Sequence, residues 1–118
     1  SLSGFASTYG TAVLEGVELA AGELAGKSPA VKLVIEDDGS ETKGVVTAYK
    51  KLRSADRIEA LIGGSWWVNS IVRSTAHDRI PFISCETLLE KTTEIAPNYF
   101  LLQGDLRNWM RAHEPEIH

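Results

Sequence analysis

The amino-acid sequence predicts an α/β fold, a three-layer arrangement in which a parallel sheet carries helices on both faces. Three observations predict it. Segments with helical periodicity alternate with short apolar runs rich in branched residues, an order that implies crossover connections between parallel strands. The breaks between them fall at clusters of Gly, Pro, Asp and Ser, which punctuate regular structure. The 118 residues, 43% hydrophobic and 24% charged, have the balance of one globular domain.

The first element is a helix from Gly10 to Leu24, in which Val13, Val17, Ala20 and Leu24 recur at helical spacing while Glu15, Glu18 and Glu23 fall elsewhere on the wheel. Gly26 and Pro29 stop it, and Val31-Lys32-Leu33-Val34-Ile35-Glu36 reads as a mostly buried strand. Asp37-Asp38-Gly39-Ser40 ends that strand. Either Asp38 or Ser40 is placed to cap the next helix, Asp38 and Glu41 having capping-box spacing. Val45, Ala48, Tyr49 and Leu52 form the buried stripe of this helix, and Lys43, Thr47 and Lys50 face water.

Ala60-Leu61-Ile62 is the next strand, ending in Gly63-Gly64. A third helix then sets Val68, Ile71, Val72 and Thr75 on one face. Ile80-Pro81-Phe82-Ile83-Ser84 and Tyr99-Phe100-Leu101-Leu102 are further strands, Pro81 being tolerated at a strand's beginning. Asp105 to Met110 reads as the capped start of another helix.

Charge narrows the partners. A net charge of -4 opposes binding to a phosphate backbone, which needs clustered Lys and Arg, so nucleic acid is not an expected partner. No apolar run approaches the roughly 20 residues that span a bilayer, so no direct membrane insertion is expected of this chain. The chain opens at Ser1-Leu2-Ser3-Gly4 without a readable secretory signal, and Cys85, the only cysteine, has no partner for an internal disulfide.

Ligands of parallel sheets bind outside the carboxyl ends of the strands, where loops lead into helices with free N–H groups. Three segments are therefore of interest: Ser3 to Tyr9, Gly63 to Ser70, and Ser84 to Leu88, all rich in Gly, Ser, Thr or aromatic residues.

The ordered series Leu2-Ser3-Gly4-x-Ala6-x-x-Tyr9-Gly10, Glu36-Asp37-Asp38-Gly39-Ser40, Ile62-Gly63-Gly64 and Ile80-Pro81-Phe82-Ile83-Ser84 resembles the leucine/isoleucine/valine-binding family of type I periplasmic binding proteins. The likeness extends from about Leu2 to Leu102, and the order of the motifs carries it. Members have two α/β lobes joined by a hinge, and they close on an amino acid or related small molecule before delivering it to an ABC transporter. The resemblance implies that residues 1–118 are part of an N-terminal lobe, without the family's first strand and without the second lobe. It further implies a periplasmic or extracellular, membrane-associated location, an amino acid or small amide as ligand, a transporter permease as partner, no cofactor and no catalysis. The alternative is a ligand-sensing receptor or regulatory domain of the same fold.

Carried over residue by residue, the resemblance places Tyr9 beside the ligand, Ser65, Trp66 and Trp67 in a first ligand loop, and Ser84, Cys85, Glu86 and Thr87 in a second. The family's usual hydroxyl in the first loop falls at Trp67, and Glu86 and Thr87 replace a small, neutral stretch, so the ligand of the best-known members does not transfer. Each residue also has a structural reading. Trp66 and Trp67 would point about 100° apart on a helix, so one packs and one lines the cleft. Tyr9 equally braces the first helix, Ser65 and Thr87 equally cap helices, and Glu86 is more often a solvated loop carboxylate than a recognition group.

Other chemistry is set aside. A nucleophilic Cys85 needs an activating base, and His77 lies on the polar face of the third helix. His113 and His118 are five residues apart with Pro115 between them, which is not a helical zinc-protease pair, so no metal site is expected. Gly63-Gly64-Ser65 lacks the spacing and lysine of a phosphate loop.

Overall fold

Among the described residues the elements follow the order α1 (Ser7–Glu23), α2 (Thr42–Ser54), β1 (Leu61–Gly63), α3 (Asn69–His77), β2 (Phe82–Ser84) and β3 (Tyr99–Leu101). They are seen in a computed structural model that describes residues 1–27, 30–63, 67, 69–85, 97–102 and 111–112. The chain divides into two compact units, Ser1–Ile58 and Glu59–His118.

In the first unit, two sequence motifs clasp each other. Oδ1 of Asp37 accepts hydrogen bonds from the backbone N–H of Leu2 (2.7 Å), Ser3 (3.1 Å) and Gly39 (3.0 Å). Oγ of Ser40 donates to the carbonyl of Ser3 (2.7 Å) and accepts from the N–H of Ala6 (3.1 Å). The Ser3 hydroxyl, followed by these backbone donors, holds the Asp37 carboxyl well below its ordinary value of 3.8. With the folded value depressed, the carboxylate's contribution is present above that ordinary value and is lost as pH falls through the folded one.

That clasp corrects the expected cap of α2. The N-cap is Glu41, in extended backbone, and it makes no side-chain cap hydrogen bond. Neither Asp38 nor Ser40 takes the role, because both side chains are engaged elsewhere: Asp38 Oδ1 accepts from the Ser40 N–H at 2.8 Å, and Ser40 reaches back to residues 3 and 6. The buried stripe of α2 forms as expected from Val45, Tyr49 and Leu52, with Ala48 half-buried.

Two further expectations change. α1 begins at Ser7 rather than Gly10, the Ser7 N–H reaching the carbonyl of Gly4 (3.2 Å) and that of Gly10 the carbonyl of Ala6 (3.0 Å). Its stripe is half-buried at Val13 and Val17 and exposed at Ala20 and Leu24. Residues 30–38 form no strand: Val31 is 54% and Ile35 46% exposed. A strand persists only when its N–H and C=O groups find a ladder, and no such partner exists for this segment among the described residues. Lys51 pairs with Glu36 and lies 3.8 Å from Asp56, and the Glu36 hydrogen bond raises the Lys51 pKa.

The second unit holds a parallel sheet in the order β1-β2-β3. Alternation puts Leu61, Phe82 and Tyr99 on one face together with Gly63, Ser84 and Leu101, while Ile62, Ile83 and Phe100 share the other. Phe82, Ser84 and Tyr99 are buried, and the Phe82 and Tyr99 rings meet edge to face with centroids 5.1 Å apart. α3 buries Ile71, Val72 and Thr75, as its periodicity requires. Val68 lies outside the described residues.

Helices α2 and α3 end alike. Each runs into Asp-Arg-Ile, at Asp56-Arg57-Ile58 and Asp78-Arg79-Ile80, with the arginine in the left-handed region at φ 52° and 56°. The isoleucine N–H then turns back to a carbonyl of the last turn, Ile58 to Leu52 (3.2 Å) and Ile80 to Thr75 (3.0 Å). Glycine adopts that conformation without the Cβ penalty. Arg79→Gly is therefore expected to raise stability by roughly 0.5–1 kcal/mol, net of its greater freedom when unfolded. An unchanged or lower urea midpoint would show that the arginine side chain makes a compensating interaction.

Candidate functional site at the carboxyl edge of the sheet

Register decides what the sheet can present. Gly63, Ser84 and Leu101 are paired across the three strands, so the strands end level with one another. The hydrogen-bond ladder continues one step beyond them: the Cys85 N–H donates to the Gly63 carbonyl (3.3 Å) and that of Leu102 to the Ser84 carbonyl (2.9 Å). Each strand thus ends at the same height, at one edge of the sheet. This is where a parallel sheet offers backbone groups and loop side chains to a ligand.

Of the eight residues singled out from the sequence, four are described. Trp67, Ser84 and Cys85 belong to the second unit, and Tyr9 to the first. Ser65, Trp66, Glu86 and Thr87 lie outside the described residues. Trp67 is half-buried just ahead of α3, and its carbonyl accepts hydrogen bonds from both the N–H (3.0 Å) and the hydroxyl (2.7 Å) of Ser70. Ser70 therefore closes the turn that leads from β1 into α3 and fixes the Trp67 backbone. Cys85 is half-buried at the tip of β2. Ser84 shares the buried face of Phe82 and has no exposed surface, so its side chain shapes the interior beneath the edge. Tyr9 is half-buried in the first turn of α1.

The third connection, after Leu101, was not among the segments chosen from the sequence. The signal was available: Tyr99 to Leu102 reads as a strand, and the carboxyl-end rule applies to it as to the others. The edge has, among the described residues, an exposed apolar side chain at Leu102, a thiol at Cys85 and main-chain polar groups. Among the described residues, no group of three or more His, Cys, Asp or Glu side chains is arranged to hold a metal ion, and no helix is long and apolar enough to cross a membrane.

The strands of this parallel sheet end level, and the chain after β1 continues into α3, an α/β arrangement. Residues 1–113 match the family model described as periplasmic binding protein, and the chain belongs to that family. The structure also superposes on the branched-chain amino acid transporter substrate binding protein LivJ of Streptococcus pneumoniae, solved in complex with isoleucine, with a TM-score of 0.80 and 23% sequence identity. The match covers 88% of this chain and 32% of LivJ, so the chain spans about a third of that protein's length. No curated protein matches the chain. The fold class and the family resemblance read from the sequence are thereby established.

Proposed function

We propose that this chain forms part of an extracytoplasmic solute-binding protein that captures an amino acid or related small amide for uptake by an ABC transporter. The observation that carries the reading is the level carboxyl edge of β1, β2 and β3, with Cys85 directly after β2 and Trp67 between β1 and α3. Membership in the periplasmic binding protein family and the likeness in fold to a protein solved with isoleucine support it. In this reading the loop segments holding Ser65, Trp66, Glu86 and Thr87 act with Trp67, Ser84 and Cys85, and the family resemblance adds Tyr9 to the expected ligand contacts. Polar groups fix the charged ends of the solute, aromatic faces cover its body, and no bond is made or broken.

The reading includes a cleft completed by a second lobe and a further strand that pairs with residues 31–36, where Val31, Val34 and Ile35 are exposed. Hinge closure then favours the bound state, and a transporter permease receives the solute.

Thermal unfolding of the full-length protein against L-leucine, L-isoleucine, L-glutamine, acetamide, ribose and adenosine tests the proposal. One amino acid or amide is expected to raise Tm selectively, since a ligand at a hundred times its Kd stabilises the native state by about 2.7 kcal/mol. Trp67→Ala is expected to abolish that rise while the protein remains folded. An unmoved Tm across the panel would overturn solute capture.

A further inference from the structure

We propose that Asn98 is a positioning residue for the carboxyl-edge site: from the opposite end of the sheet, it sets the placement of α3 and β2 and hence of the loops they carry. The inference rests on the reading of that edge as the solute site.

Asn98 immediately precedes β3 and bonds to three places at once. Its carbonyl accepts the N–H of Phe82, the first residue of β2 (2.9 Å). Its Nδ2 donates to the carbonyl of Ile80 (2.7 Å) and to Oγ1 of Thr75 (3.2 Å). Thr75 is fully buried in the last turn of α3 and gives its own hydroxyl hydrogen to the Val72 carbonyl (2.8 Å). One residue therefore ties the end of α3, the left-handed turn at Arg79 and the start of β2.

The direction of these bonds is fixed. The Ile80 carbonyl can only accept, and the Thr75 hydroxyl is committed as a donor to Val72, so both need the donor end of the amide. Asn98 Oδ1 is left buried without a partner among the described residues, and this unfavourable burial is the cost of presenting two donors.

Distances let this anchor act on the edge. Six residues of helix separate Thr75 from Asn69, about 9 Å, and two strand residues separate Phe82 from Ser84, about 7 Å. Packed elements of this length move as rigid bodies, so a tilt of α3 released at Thr75 displaces the Trp67–Ser70 turn at its other end.

The test uses the full-length protein with Asn98→Ala and the milder Asn98→Ser. Affinities for L-leucine, L-isoleucine and L-glutamine are measured by titration calorimetry, and amide hydrogen exchange is followed over residues 69–72, 83–85 and 75–82. Asn98→Ala is expected to weaken binding by between about twofold and thirtyfold and to speed exchange in 69–72 and 83–85 as well as in 75–82. Asn98→Ser, which keeps a donor, should fall between that variant and the native protein. Faster exchange confined to 75–82, or unchanged affinity in a folded variant of a protein that binds, would overturn the positioning role. If the native protein binds none of the three amino acids and acetamide leaves its Tm unmoved as well, the solute reading fails, while exchange at 69–72 still decides the role of Asn98.

Discussion

Phe82→Ala is expected to cost about 3–5 kcal/mol, the range for emptying an aromatic side chain from a packed interior. Phe82 has no exposed surface, stands on the central strand of the sheet and packs edge to face against Tyr99. Its removal takes away apolar burial, leaves a void that strands of three residues cannot close, and deprives the Tyr99 ring of its partner. Urea denaturation followed by circular dichroism reads the loss as a lower midpoint. A loss under about 1 kcal/mol would mean that the site collapses around the smaller side chain or that the second unit contributes little to global stability. Phe82→Leu should recover a large part of the loss, because it restores volume without the ring geometry.

The second expected result is a reversal of sign for one substitution at two helical glycines. A Cβ at Gly44, in the first turn of α2, would lie 1.8 Å from the carbonyl oxygen of Asp38, which is backbone and cannot rotate away. Gly44→Ala must therefore push the 38–40 turn from α2, straining the contacts that Asp38 and Ser40 make with the beginning of the chain. A loss of about 1–3 kcal/mol is expected. Gly16 lies in the middle of α1 with nothing within 4 Å of an added Cβ. Gly16→Ala should stabilise by roughly 0.5–1 kcal/mol through the lower chain entropy of the unfolded state. Denaturation of the two variants side by side separates packing from helix propensity. A similar gain at both positions would show that the turn at 38–40 does not lie against α2.

The site was legible in the sequence to different depths. The carboxyl-end rule pointed to the connections after β1 and β2, and the register of Gly63 with Ser84 brings those connections to one edge. It was not carried through to Leu102, although the strand before it was recognised. Ser84 was placed in the second ligand loop by the family resemblance; the alternation that buries Phe82 buries Ser84 two residues later, and only the completed sheet showed which face that is. No local pattern marked Asn98. An asparagine after proline reads as a turn, and its bonds to Thr75 and Ile80 span 23 and 18 residues.

By itself the sequence determined the α/β class, the periodic faces of α2 and α3, the approximate places of β1, β2 and β3, and the likeness to the binding-protein family. These depend on side-chain periodicity and on the order of motifs, which are written along the chain. Tertiary structure alone decided the fate of residues 31–36, the cap of α2 and the partners of Asp37, Ser40 and Asn98. A branched apolar run has strand propensity, yet it becomes a strand only where another segment supplies a ladder, and a Ser or Asp caps a helix only if no closer donor or acceptor claims it first. Both outcomes depend on groups distant in sequence, so local pattern cannot fix them.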